Sequence, residues 1–162
     1  MLKIAKFGGS SVASASQFQK VKSIIESDES RKIVVVSAVG KDNGHTSKIT
    51  DLLLLLHAHL ELNIEYETLF DSIANRFKSI KEELNLSFDL DLLMKKLRNE
   101  LSPQLSKDYL VSRGEYYTAK LMSEYLGFTF IDSFDCIFLN YNGSVEYEKT
   151  NKKIQQLFNK NK

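Results

Sequence analysis

Lys6-Phe7-Gly8-Gly9-Ser10-Ser11-Val12 joins the end of a β-strand to a glycine turn and a helix start, with a lysine at the junction. Upstream, Leu2, Ile4 and Lys6 fall on one strand face and Lys3, Ala5 and Phe7 on the other, because side chains alternate along a strand. Lys6 therefore stands at the strand's carboxyl end, where open α/β sheets bind ligands. Gly8 and Gly9 lack a Cβ, so the backbone can turn sharply, approach a ligand closely and aim successive N–H groups at it. The free N–H groups and positive dipole end of the following helix favour a bound phosphate. A strand exit onto a surface lysine is the plain alternative, and spacing alone does not separate the two.

Working outward, Ser14 and Gln17 have capping-box spacing, and Phe18, Val21, Ile24 and Ile25 then recur at helical intervals. Arg31-Lys32 leads into Ile33-Val34-Val35-Val36, an unbroken β-branched run of the kind buried on both faces of a parallel sheet. The chain thus opens with a β-α-β unit. A right-handed crossover brings Ser37-Ala38-Val39-Gly40 out on the same side as Gly8 and Gly9, so two loops converge on one crevice. From Ile49 to about Leu126 helical periodicity predicts four helices, with breaks near Leu62-Asn63, Leu86-Ser87 and Ser102-Pro103. Gly127 ends the last of them, Phe128 to Ile131 and Cys136 to Leu139 read as short strands, Asn142-Gly143 as a turn, and Tyr147 onward as a lysine-rich helix. The basic end, Lys152-Lys153 and Lys160 to Lys162, reads as a solvated helix face.

The 162 residues, 43% of them hydrophobic, suit one domain with a real core. Twenty-two Lys and Arg against 21 Asp and Glu leave a net charge of +1, which argues against a dedicated nucleic-acid or membrane-surface protein. Cys136 is the only cysteine, so neither an intramolecular disulfide nor a Cys-based zinc motif exists, and its apolar neighbours make it a small buried hydrophobe. Leu52 to Leu56, between Asp51 and His57, reads as a buried helix segment far shorter than the roughly 20 residues of a membrane span. The amino terminus has a strand pattern rather than that of a signal peptide, so a cytoplasmic location is expected. His57 and His59 project about 200° apart on a helix and cannot share a metal; with His45 they read as incidental.

Further on, Val111, Glu115, Ala119 and Met122 fall at intervals of three and four, which puts Glu115 on the apolar stripe of its helix. A carboxylate turned inward needs a partner. A salt bridge to a neighbouring cation is one answer and a ligand's amino group another.

The run Lys6 to Ala13 resembles the amino-terminal signature of aspartate kinases, a branch of the amino-acid kinase family. Ser37-Ala38-Val39-Gly40 followed by Lys48-Ile49-Thr50-Asp51-Leu52-Leu53 is a second stretch similar to that branch, and Ser112-Arg113-Gly114-Glu115 a third. The resemblance implies a partial three-layer α/β fold, with a mostly parallel central sheet, helices on both faces and a helical insertion at about 49–126. It implies phosphate binding by Lys6, Gly8, Gly9 and Ser10, with Lys6 catalytic, and L-aspartate binding by Ser37, Thr50 and Glu115, the last holding the substrate's amino group. Thr46 competes with Thr50, because the loop from Lys41 to Lys48 is long; the Thr-Asp-Leu-Leu run favours Thr50, which also has a plain alternative role as a helix cap. ATP, with Mg²⁺ on its phosphates, and aspartate are the implied ligands.

The resemblance covers only the front part of such a kinase catalytic domain, residues 1–162. Nothing here matches the family's later Gly-Arg-Gly-Gly-Ser-Asp segment, nor its adenine-binding loops or regulatory domains. Two expectations follow: an aspartate kinase portion carrying half of an active site and inactive alone, or a non-catalytic module that binds a small anion or a partner. In either, an unpaired sheet edge invites self-association.

Overall fold

The computed structural model describes residues 1–160. The chain divides into two compact units, Met1–Gly127 and Phe128–Lys162. In the first, β1 (Lys3–Phe7) and β2 (Arg31–Val36) pair in parallel, with Ile4 opposite Ile33, Ala5 opposite Val34, Lys6 opposite Val35 and Phe7 opposite Val36. Between them runs α1 (Ala15–Glu26), which gives the expected β-α-β unit. Ser14 holds the N-cap position of α1, but its hydroxyl lies 2.9 Å from Ser16 Oγ and caps no backbone N–H. The predicted capping box is therefore not made. Gln17 contributes its backbone N–H to Ser14 O at 3.0 Å instead.

Registered residues of parallel strands share a face. Ala5, Phe7, Val34 and Val36 lie half-buried on one side, while Ile4 is 67% and Val35 46% exposed on the other. The β-branched run is thus not buried on both faces, as its composition predicts. Apolarity makes a strand willing to be covered; the covering layer has to come from other residues, and those described leave this face open.

Four helices follow, as predicted: α2 (Ile49–Glu61), α3 (Glu67–Glu83), α4 (Leu90–Glu100) and α5 (Lys107–Leu126). The breaks have local causes. Asn63 (φ 51°) and Asn85 (φ 52°) adopt the left-handed conformation after α2 and α3. Each helix closes with paired bonds, Ile64 N–H to His59 O and Asn63 N–H to Leu60 O after α2, and Leu86 N–H to Lys81 O and Asn85 N–H to Glu82 O after α3. Asp89 caps α4 through Leu92 N–H at 2.8 Å, and Gly127 (φ 69°) ends α5. The core gathers Phe18, Leu53, Phe70, Phe77, Leu110 and Leu121, all under 2% exposed. Within Leu52 to Leu56 only Leu53 and Leu56 are buried, whereas Leu54 and Leu55 face outward. A five-residue run on a helix with 3.6 residues per turn must cover more than one face.

In the second unit, Phe128 to Ile131 and Cys136 to Leu139 are not strands. Ser133–Asp135 is a 3₁₀ turn, Leu139 forms one isolated antiparallel bridge with Val145, and Gly143 (φ 81°) makes the predicted turn. Without a described neighbouring strand to pair with, a short apolar segment keeps no ladder. Helix α6 (Tyr147–Lys160) follows, with Thr150 buried and its hydroxyl accepting from Phe138 N–H at 3.0 Å. The tail beyond Lys160 lies outside the described residues.

Candidate functional site

The carboxyl ends of β1 and β2 are laced together. Ser37 N–H donates to Phe7 O at 3.0 Å, and Gly40 N–H to Gly9 O at 3.0 Å. The approach is so close that a Cβ on Gly40 would sit 2.5 Å from Gly9 C, and one on Gly9 would sit 2.9 Å from Ala38 O. Only glycine fits at either position. Gly8 differs: it is extended (φ −76°, ψ 170°), and a Cβ there would meet no atom within 4 Å. The space in front of Gly8 is open to a ligand.

After Gly8 the chain enters a 3₁₀ turn, Gly9–Val12, anchored by fully buried Val12. The predicted helix start is therefore a short tight turn ahead of α1. Ser11 N–H bonds Gly8 O at 2.9 Å, while the N–H groups of Gly9 and Ser10 precede the first bond of the turn and have no acceptor within it. Lys6 is exposed at the strand end and has no hydrogen bond or ion pair among the described residues. One exposed cation and two N–H groups that have no acceptor among the described residues thus lie within two residues of Gly8.

The second stretch joins this edge through Ile49 N–H, which donates to Val39 O at 3.0 Å and seats the start of α2 against the strand-end loop. Lys48, not Thr50, holds the N-cap position. Thr50 is the second residue of α2, half-buried, and makes no capping bond, so its plain alternative role is not the one adopted. Ser37 is half-buried beside β2, whereas Thr46 is exposed in the loop.

Gly114 brings in the third stretch. A Cβ on it would lie 2.8 Å from Ala38 Cβ and 3.3 Å from both Ile49 Cγ2 and Leu53 Cδ1. A side-chain-free position thus lets α5 lie directly on the strand-end loop and α2. The buried stripe of α5 is Leu110, Gly114, Tyr117, Thr118, Leu121 and Met122, displaced from the one predicted through Glu115. Glu115 lies on its shoulder, half-buried, with no hydrogen bond or ion pair among the described residues. Gly and Thr read as non-core in a hydrophobic pattern, yet Thr118 is fully buried and donates to Gly114 O at 2.7 Å. Burial pushes the neighbouring Tyr117 phenol well above its usual range, so it stays neutral.

Sequence patterning missed Arg76. It lies in α3 on the apolar stripe of Ile73, Phe77 and Ile80, only 4% exposed. Its Nη2 donates to Gly40 O at 2.8 Å and Ala13 O at 3.4 Å, and lies 3.6 Å from Asp42 Oδ2. Asp42 in turn accepts from Gly44 N–H and pairs with His45 Nδ1, both at 2.8 Å. Burial pushes the Asp42 carboxyl up, but the bonds from His45 and Gly44 and the Arg76 charge outweigh it and hold the pKa below the usual value. The clue was available: a charged residue on a helical core stripe, the same test that singled out Glu115.

Elsewhere, a concavity of about 420 Å³ is lined by His45, Arg76 and polar residues of α3, and one of about 290 Å³ lies near Pro103. Neither includes any of the seven predicted site residues. His57 Nε2 sits 3.0 Å from Leu105 O and His59 Nδ1 2.7 Å from Glu65 O, both structural contacts. Among the described residues no group of three His, Cys, Asp or Glu could hold a metal ion. Cys136 is buried, as predicted, and burial raises its thiol pKa. Among the described residues no helix is long and apolar enough to cross a membrane.

A parallel β-α-β unit thus has its two strand ends locked together by close-packed Gly9 and Gly40, with Lys6 exposed beside them. The profile described as "Amino acid kinase family" matches residues 1–162, and the chain belongs to that family. Within it the chain is similar to aspartokinases. It is 35% identical to aspartokinase 3 of Bacillus subtilis (strain 168), an alignment covering 76% of this chain and 29% of that protein. It is 26% identical to the chloroplastic bifunctional aspartokinase/homoserine dehydrogenase of Daucus carota, over 99% of this chain and 20% of that one. The crystal structure of Clostridium acetobutylicum aspartate kinase superposes with a TM-score of 0.89 at 40% identity, covering 94% of this chain and 35% of that one. E. coli aspartokinase III in complex with aspartate and ADP shares the fold, with a TM-score of 0.74 at 24% identity. The chain spans less than a third of the length of these curated relatives.

Proposed function

We propose that this chain forms the acceptor and phosphate-cradle portion of an aspartate kinase, which transfers the γ-phosphoryl group of ATP to the side-chain carboxylate of L-aspartate. The observation that carries the reading is the convergence of three separated stretches on one edge, through Gly40 on Gly9, Ile49 on Val39 and Gly114 on Ala38. The E. coli relative, described with aspartate and ADP, supports the ligand pair.

The chemistry needs no general base. An aspartate side chain with a free pKa of about 3.9 is ionised at neutral pH and is already a nucleophile. The difficulty is bringing that anion up to a polyanion, so catalysis rests on positioning and on charge neutralisation by cations and oriented N–H groups. Lys6 supplies the cation, Gly9 and Ser10 the N–H groups, and the absent Cβ of Gly8 the room for a phosphate. Ser37 and Thr50 offer hydroxyls to the aspartate, and Glu115 a carboxylate to its amino group. Mg²⁺ bound to the nucleotide phosphates would add neutralising charge there, with no metal cage needed from this chain.

An ADP-release assay with ATP, Mg²⁺ and aspartate should show negligible turnover by the chain alone; robust turnover would mean that it lacks nothing essential. Aspartate should slow hydrogen exchange around Ser37 and Glu115, and a chain that responds to neither aspartate nor nucleotide would instead be a partner-binding module. The exposed Ile4 and Val35 favour self-association of the isolated chain, which sedimentation should detect as a concentration-dependent dimer that Ile4→Lys abolishes.

A further inference from the structure

We propose that Arg76 is a positioning residue that holds the phosphate cradle in shape from behind, an inference that rests on the reading of Gly8 to Ser10 as that cradle. The 3₁₀ turn Gly9–Val12 is tied at both ends to one node. At its start Gly9 O accepts Gly40 N–H at 3.0 Å, and just past its end Ala13 O accepts Arg76 Nη2 at 3.4 Å, the same nitrogen that reaches Gly40 O at 2.8 Å. Gly40 and Arg76 thereby bridge the two ends of the turn, and the free N–H groups of Gly9 and Ser10 lie on the bridged segment.

A buried guanidinium is an expensive way to fill a core position, since a desolvated charge needs compensation. Burial lowers the Arg76 pKa and Asp42 raises it. The neighbouring stripe residues Ile73, Phe77 and Ile80 show that an apolar side chain suits this face of α3. What an apolar side chain lacks is a donor able to reach two carbonyls on separate loops, and the Arg76 Nη2 group, with two N–H bonds, supplies it. Asp42 balances the charge and, through Gly44 and His45, folds the loop after Gly40 back over it. Arg76 touches no substrate in this arrangement. Its contribution is to keep a turn with two unpaired N–H groups from relaxing.

The test compares the unmodified chain with Arg76→Lys, which retains the charge but replaces the rigid guanidinium that places Nη2 with a flexible ammonium. Tripolyphosphate is the probe, followed through the amide signals of Gly8, Gly9 and Ser10, and amide exchange is measured in parallel. The unmodified chain should give saturable shifts. In R76K the apparent affinity should fall about tenfold, the worth of one charge-assisted hydrogen bond. Exchange at Gly40 should quicken by a similar factor while exchange at Met94 in α4 stays unchanged. Equal quickening at Gly40 and Met94, or unaltered binding, would overturn the positioning role and leave Arg76 a core residue. Absence of binding by the unmodified chain would instead defeat the phosphate reading itself, and the positioning role with it. Should R76K fail to fold, the coupling is read in the unmodified chain. Saturating tripolyphosphate should slow exchange of the Arg76 guanidinium protons, and an unchanged rate would refute the proposal.

Discussion

Gly114→Ala tests whether the close contact of α5 with the strand-end loop is what assembles the site. In the helix interior, alanine in place of glycine stabilises by about 1 kcal/mol. Here the added methyl would meet Ala38 Cβ at 2.8 Å and two further side-chain carbons at 3.3 Å. Carbon atoms prefer about 3.5–4.0 Å, so roughly 1 Å must open between α5 and a Cβ fixed rigidly to the loop backbone. Overpacking of this kind costs about 1–3 kcal/mol. The two terms leave a net loss of about 1 kcal/mol, a fall of roughly 2–4 °C in Tm for a chain of this size. The loss should be local as well as global. Displacement of Ala38 strains Gly40 N–H on Gly9 O two residues away, so Gly40 exchange should quicken more than that of Met94. Urea unfolding and site-resolved exchange read both effects. A G114A chain more stable than the original by the full propensity gain, with unaltered Gly40 exchange, would refute the claim that this contact is tight.

Acidification should act on three carboxylates, the first being Asp28, whose pKa the bonds from Lys3 and Ser30 hold far below the usual value. Burial opposes ionisation of Glu124, but its bonds from Ser87 Oγ, Ser87 N–H and Phe88 N–H overcome this and lower its pKa, as the contacts of Asp42 do for that residue. A lowered native pKa adds stability above the ordinary carboxylate range, lost as pH falls through the native value; urea midpoints should therefore hold down to about pH 5 and drop below pH 4, and Glu124→Gln should flatten part of that drop. Cys136, buried and with a raised pKa, should react with a thiol reagent at pH 8 at least tenfold more slowly in the native chain than in urea. Equal rates would show that the thiol is accessible.

The β-α-β opening was legible because strand alternation, a glycine pair and helical periodicity all agree over residues 2–36. The four helices were legible for the same reason, down to three breaks, two of which proved to be asparagine-closed helix ends. What escaped depends on what lies opposite. The exposed face of Ile33 to Val36 and the absent strands after Phe128 have sequences suited to a sheet, but the described residues supply no partner there. Residue type also misled at α5, where Gly114 and Thr118 occupy core positions and Glu115 stands beside them. Within the candidate site, the meeting of the two strand ends was readable from topology. The Arg76 link between them was not, because its partners are backbone carbonyls, and every residue has one.

The glycine turn is bordered by two cations in opposite environments, Lys6 in water and Arg76 in the core. Added salt screens an exposed charge within a Debye length of about 8 Å at physiological strength but reaches a buried one far less. Anion binding here should accordingly have two components when ionic strength is raised. One, belonging to Lys6, fades; the other, set by a backbone shape held from the interior, persists.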